Sequence, residues 1–383
     1  MFPSPLLRQI KSLPALFAEI VPSQWVQARS IAEQLSRKQL SRIYVAGCGD
    51  SHHAAVGSAL AFQQFTGLQC TAETAMQFSR YTTPFLSAQK NGNSLVLAIS
   101  ASGEVSRSIE VLEQAARYGA TTLALTGNSE STLGSAADYC FTTSIPSLSG
   151  ESAKTVVPGT RSYFASMISL YLLSVAIGTA NEYLTAKAAV ELVNQLIDIG
   201  ESIERIIEDN IAVTEAAAER WREHNSYVFC GAGPNFGAAM FSAAKLIEAC
   251  GDRAQGQDLE EWAHLQYFEK EVDTPTIIIQ GGSRDRDRAF EVAAAARAIG
   301  RQLGIICPGD ELLLNQLREG EIHWKTARVR ECFSPLVACI PALLLASERA
   351  SLLNEPYFRD FSGGRSKESG GGISKIRSSK RLD

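Results

Sequence analysis

A short β-branched run that ends in a glycine-rich turn and opens into a helix occurs twice in this 383-residue chain. Tyr44-Val-Ala-Gly-Cys-Gly is echoed by Tyr227-Val-Phe-Cys-Gly-Ala-Gly, and residues 100–119 lie over residues 281–300. In that second overlay Ser102 falls on Ser283, Arg107 on Arg288, Glu110 on Glu291 and Val111 on Val292, all at one offset of about 181 residues. A period that long is the scale of a domain and not of a solenoid repeat. The chain therefore reads as one fold used twice.

Within the first copy, Arg42-Ile-Tyr-Val-Ala predicts a strand that ends at Gly47-Cys-Gly-Asp-Ser. Ser94-Leu-Val-Leu-Ala-Ile predicts a second, ending in Ser100-Ala-Ser-Gly-Glu, and Thr121-Thr-Leu-Ala-Leu a third, ending at Thr126-Gly-Asn. Strands alternating with helices, with Gly/Ser loops after the strand C-termini, describe an α/β fold with a doubly wound parallel sheet flanked by helices. Ligands of such sheets bind at those loops. The expected division is a helical segment over 1–40, a first domain over 41–180, a helical connector over 181–223, a second domain over 224–350 and a Gly/Ser/basic tail over 351–383. Such a tail is either disordered or a basic flap that closes over an anionic ligand.

Lys and Arg number 36 against 41 Asp and Glu, a net charge of −5. Neutralising a phosphate backbone needs clustered excess cations, so no nucleic-acid partner is expected, and the partner is a small molecule. The eight cysteines form no CxxC pair and the five histidines do not cluster, which predicts reduced, buried thiols and no metal site. The N-terminus lacks the pattern of a signal peptide. Residues 163–180 are long and uncharged, yet the serines and the glycine among them favour a helix inside an α/β core over a membrane span. A cytoplasmic protein with no membrane role is the expectation.

Three groups of residues could carry chemistry. Ser100-Ala-Ser-Gly-Glu opens a helix, where hydroxyls and backbone N–H groups at the positive end of the helix dipole suit an anion. Capping alone would also explain Ser100 and Ser102. Asp50 and Ser51 follow the first strand beside that cradle; Ser51 could bind an anion or a sugar hydroxyl, while Asp50 suits a hydroxyl or Arg107 better than a phosphate. Lys245 and Glu248 share one face of an otherwise small and apolar helix, where burial would raise the carboxylate towards general-base strength, unless the two form a solvated pair. His264 follows Trp262, a setting more typical of a packed histidine than of a catalyst.

Taken in order, GCGDS, ISASGE, AMFSAAKLIEACG and EEWAH resemble the tandem sugar-isomerase (SIS) domain family, in particular the isomerase half of glucosamine-6-phosphate synthase. The likeness runs from about residue 5 to residue 350. It implies two SIS domains, each with a five-stranded parallel sheet, in a homodimer that needs no cofactor or metal. By the same resemblance Ser100, Ser102 and Gly103 hold the phosphate of a hexose 6-phosphate, with Ser51 contacting phosphate or sugar. Glu248 moves a proton between C1 and C2, Lys245 stands on the same helix, and His264 assists ring opening from the neighbouring subunit. Val157, Thr160 and Arg161 fall in a substrate-contacting loop. Lys375 is the candidate for a C-terminal lysine that forms an imine with the ketose.

The chain departs from the family at Ala101 and Val105, which replace two phosphate donors, and at Asp50, which replaces a threonine. Ser106, Arg107 or the tail could compensate, or the anion could be a sulfonate. No glutaminase segment precedes the SIS sequence, so glutamine-dependent amination is not expected. The expected activity is aldose–ketose isomerisation of an anionic hexose, most simply a hexose 6-phosphate or an amino-sugar phosphate. The alternatives are an amino-sugar-phosphate deaminase, a fructosamine-phosphate deglycase, an isomerase of a sulfonated sugar and, least favoured, a non-catalytic sugar-phosphate sensor.

Overall fold

The computed structural model describes residues 4–86, 93–148, 156–366 and 379–382. Helices α1 (Pro5–Lys11) and α2 (Leu13–Leu35) open the chain. It then forms two compact units: one of residues 15–147, 161–197 and 361–383, the other of residues 1–14, 148–160 and 198–360. Each is built on one five-stranded, all-parallel sheet.

In the first unit the strands are β1 (Leu40–Gly47), β2 (Gln69–Thr74), β3 (Asn93–Ser100), β4 (Thr121–Thr126) and β5 (Tyr139–Thr142), in the order β2-β1-β3-β4-β5. The central strands are buried along almost their whole length, as parallel strands covered on both faces require. Helices α3 (Asp50–Thr66), α4 (Ala75–Gln77), α5 (Ser106–Arg117) and α6 (Thr132–Ser135) connect them, and α7 (Arg161–Ala180) follows. Helix α5 packs Ile109, Leu112 and Ala115 against Tyr44, Val96, Ala98 and Ala124. Helix α7 lies against α3, where the Tyr171 hydroxyl donates to the Gly57 carbonyl at 3.2 Å.

Helix α8 (Ala186–Arg220) leads into the second unit. Its strands are β6 (Ser226–Gly231), β7 (Arg253–Asp258), β8 (Thr276–Ile279), β9 (Leu303–Pro308) and β10 (Ile322–Thr326), in the order β10-β9-β8-β6-β7. That is the same winding as the first sheet, strand for strand. Helices α9 (Pro234–Cys250), α10 (Leu259–Trp262), α11 (Arg286–Ile299) and α12 (Pro335–Leu352) complete it. The duplication extends to backbone detail. Helices α3 and α9 have 17 residues each, and their N-caps Gly49 and Gly233 share a left-handed conformation (φ 55°, ψ −126° and φ 52°, ψ −126°) that glycine adopts without penalty.

Two stretches, Arg161–Ala180 and Glu331–Leu352, are long and apolar enough to cross a membrane, and 89% of the apolar window of each is buried within the protein. They are the hydrophobic helices that cover α3 and α9. The N-terminal helix α1 packs in the second unit, where Ser4 and Ser347 share a hydroxyl hydrogen bond of 2.7 Å.

Candidate functional site

In a sheet of this order the winding reverses between β1 and β3, and the crevice above their C-terminal ends is where a ligand fits. Register pairs Gly47 with Ile99, so the turn carrying Asp50 and Ser51 and the loop from Ser100 to Glu104 leave the sheet side by side. Ser100 is buried, and its hydroxyl and carbonyl both accept from the Gly103 amide, at 3.2 and 3.0 Å. Ser102 is exposed, with its hydroxyl accepting from the Glu104 amide at 3.3 Å. Gly103 has φ +70°, and a Cβ there would lie 2.0 Å from the Ser131 hydroxyl oxygen, so the loop closes only with glycine. The Val105 N-cap contributes no side-chain bond to the first turn of α5.

Asp50 begins α3, with its carboxylate 3.7 Å from Nδ1 of His53. His52 is neutral over the physiological range, because burial and then the neighbouring His53 bring its pKa down to about 4. Ser106 is buried at the start of α5. Arg107 points to Glu110 and to the carbonyls of Ser379 (3.3 Å) and Lys380. Its guanidinium serves the C-terminal segment, a role that residue spacing gave no reason to expect.

Glu110 was marked in the sequence only as one member of the repeat. Its side chain is fully buried and accepts from Ser79 (2.9 Å), Arg80 (2.9 Å), Arg107 and the Leu382 amide (2.8 Å). Arg381 pairs with Glu113 at 3.1 Å. Residues 379–382 thus dock along α5 and help line a cleft of about 660 Å³ with Glu104, Ser106, Ile109 and Thr132. Lys375 lies outside the described residues.

The second unit holds the other group. Lys245 and Glu248 share a face of α9, as their spacing predicts. The Lys245 side chain is completely buried, its ammonium 5.1 Å from the Phe241 ring centroid and 2.5 Å from the Glu248 carboxylate, which is about a quarter exposed. A buried ammonium is tolerated only when paired, so Glu248 is held in place by the charge beneath it. In α10, Trp262 is the packed residue, while His264 just beyond is 63% exposed with its Nε2 3.2 Å from Glu260. Thr160 is buried, donating to the Pro158 carbonyl at 3.1 Å, and Val157 precedes it half-buried. Arg161 begins α7 in the first unit.

The loop of the second sheet that matches the cradle is filled by its own side chains. A Cβ on Gly282 would meet the Glu331 carboxyl at 2.4 Å, and Arg284 pairs with Glu331 at 2.6 Å. Arg286 and Arg328 share the buried Glu311 at 2.7 and 2.9 Å. Among the described residues, no three His, Cys, Asp or Glu side chains gather as metal ligands.

Residues 35–176, which include every strand of the first sheet, match the SIS domain model. The glutamine–fructose-6-phosphate aminotransferase (isomerizing) of Synechocystis sp. is 26% identical over 317 residues, covering 81% of this chain and 48% of that protein. This chain spans about half the length of the curated relatives it matches. The C-terminal domain of glucosamine-fructose-6-phosphate aminotransferase from Francisella tularensis has the same fold, with a TM-score of 0.81 at 17% identity over 93% of this chain and 98% of that one. Glucosamine-6-phosphate deaminase from Thermotoga maritima superposes with a TM-score of 0.64 at 17% identity, over 94% and 97% of the two chains.

Proposed function

We propose that this protein interconverts an aldose and a ketose, with Glu248 as the base that carries a proton between C1 and C2. The observation that carries this reading is the carboxylate of Glu248 held at a partly exposed position by the fully buried ammonium of Lys245. Abstraction of the proton at C2 of the aldose, with a proton gained by O1, gives an enediol. Return of the proton to C1, with loss of the O2 proton, gives the ketose. His264, in the second unit, serves ring opening; in the first unit Ser51, Ser100, Ser102 and Gly103 form a candidate anion-binding loop. Its hydroxyls and the uncapped first turn of α5 support an anionic end such as a phosphate. The exposure of His264 with Leu265 and Phe268 beside it supports a homodimer in which His264 acts across the interface.

Fructose 6-phosphate, the sugar named in the Synechocystis relative, is the first substrate to test, alongside glucosamine 6-phosphate and a 6-sulfonated hexose. In deuterated solvent the wild type should exchange the C2 proton of the aldose. Glu248→Gln should slow that exchange by a factor on the order of 10²–10⁴. Unchanged exchange would remove Glu248 from the role. Release of ammonia from glucosamine 6-phosphate faster than isomerisation would reassign the same proton transfer to a deaminase.

A further inference from the structure

The segment that carries His264 is held by a residue far from it in sequence. Arg301 follows α11, and its side chain is completely buried. Its guanidinium lies 6.0 Å from the centroid of the Trp262 ring, donates to the Gln266 carbonyl, and pairs with Glu269 at 2.8 Å. Trp262 and Gln266, both buried, stand two residues before and two residues after His264. The amides of His264 and Leu265 donate to the Glu261 carbonyl at 3.1 and 3.0 Å, which closes the turn between those fixed points.

The imidazole itself faces outward. Its Nε2 meets Glu260, and Glu260 pairs with Arg288 at 2.6 Å. The backbone under His264 is pinned while the ring is presented at a set angle, the arrangement a group needs if it is to reach a ligand or a neighbouring subunit.

Two further observations favour a dedicated role. Among the described residues, the Nε and Nη1 groups of Arg301 are buried with no hydrogen-bond acceptor. Buried charge left partly unmatched is a poor way to stabilise a core, because an apolar side chain of similar size serves that purpose as well or better. The repeat places Ala120 at the corresponding position of the first copy, so the tether belongs only to the half that carries His264.

We propose that Arg301 is a positioning residue: it pins the turn over residues 262–266 and so fixes the imidazole of His264. The rate effect rests on the isomerase reading, whereas the pinning does not. A catalytic group displaced by about 1 Å loses on the order of a hundredfold in rate.

The test uses the full chain with Arg301→Met, Arg301→Lys and the milder Glu269→Gln, which alters only the partly exposed end of the tether. Hydrogen exchange should accelerate at least tenfold at amides 262–268 in Arg301→Met, with the amides of β6, β8 and β9 staying protected. With fructose 6-phosphate as the probe, kcat should fall about tenfold to a hundredfold with KM changed less than about threefold. Arg301→Lys should recover part of the loss, and Glu269→Gln should fall between wild type and Arg301→Met. Added to His264→Ala, Arg301→Met should cost nothing more. Unchanged exchange at 262–268, or a loss that adds to that of His264→Ala, would overturn the proposal. An inactive wild type would refute the isomerase reading alone, since the exchange experiment needs no turnover.

Discussion

Replacing Glu110 with glutamine keeps the shape of a buried side chain and removes one charge from beneath two guanidiniums. Burial by itself pushes the Glu110 carboxyl up, but the hydrogen bonds from Arg80, the Leu382 amide and Ser79, with the charge of Arg107, outweigh it and hold the group at about 2. A free glutamate titrates near 4.5. The group protonates more readily in the unfolded chain, so the stability it supplies is fully present above pH 4.5 and is lost as pH falls from 4.5 towards 2. The difference is worth about 3 kcal/mol. Solvent screens little of it, because the carboxylate is completely buried.

Urea unfolding at pH 7 should therefore find Glu110→Gln less stable than wild type by about 3 kcal/mol, with the gap narrowing by about 2 kcal/mol between pH 5 and pH 3. A gap that stays constant over that range would show that Glu110 stabilises by packing and not by charge. Leu382→Pro isolates one contact of the cluster, since proline has no amide to donate. Such a hydrogen bond to a charged group contributes about 1.5–3 kcal/mol. Trypsin should then cut after Lys380 at least about tenfold faster than in wild type, and an equal rate would mean that the docked C-terminal segment does not depend on Glu110.

Two further outcomes follow from the cradle. Gly103→Ala should lower stability by about 2–4 kcal/mol, combining a left-handed conformation with a clash against Ser131, and should abolish ligand binding there; a variant as stable as wild type in urea would mean that the loop does not need its glycine. The ring protons of His52 should titrate with a midpoint near 4 in an NMR pH series. Because that pKa lies below the ordinary value of 6.5, the associated stability is present above pH 6.5 and lost as pH falls towards 4; a midpoint near 6.5 would contradict the burial assigned to that ring.

The strands legible in the sequence are those buried on both faces. In β1, β3 and β4 the apolar run is nearly continuous, so the sequence alone marks them and the glycine turns that end them. The edge strands β2 (QCTAET) and β7 (RAQGQD) are half exposed, with little apolar content. They are strands because β1 and β6 offer each of them a parallel row of hydrogen-bonding partners, and no local pattern records that. The same distinction separates the site residues. Ser100 at the end of a strand and the shared face of Lys245 and Glu248 follow from local geometry, whereas the burial of Glu110 depends on an amide 272 residues away, and the role of Arg301 on contacts with Gln266 and Glu269, 35 and 32 residues before it.

The duplicated Arg–Glu pair shows how one fold was put to two uses. Arg107 with Glu110 on α5 and Arg288 with Glu291 on α11 are the same pair at the same helical spacing. In the first copy the glutamate is completely buried and receives the C-terminal segment beside the cradle. In the second it is 64% exposed, and Arg288 turns instead to Glu260, the partner of His264. A helix-surface ion pair is worth only a few tenths of a kcal/mol by itself, so stability is a weak reason for the second copy to hold it. Each copy uses its arginine to hold something else in place: the C-terminal segment against α5 in one, and the carboxylate that meets the imidazole of His264 in the other.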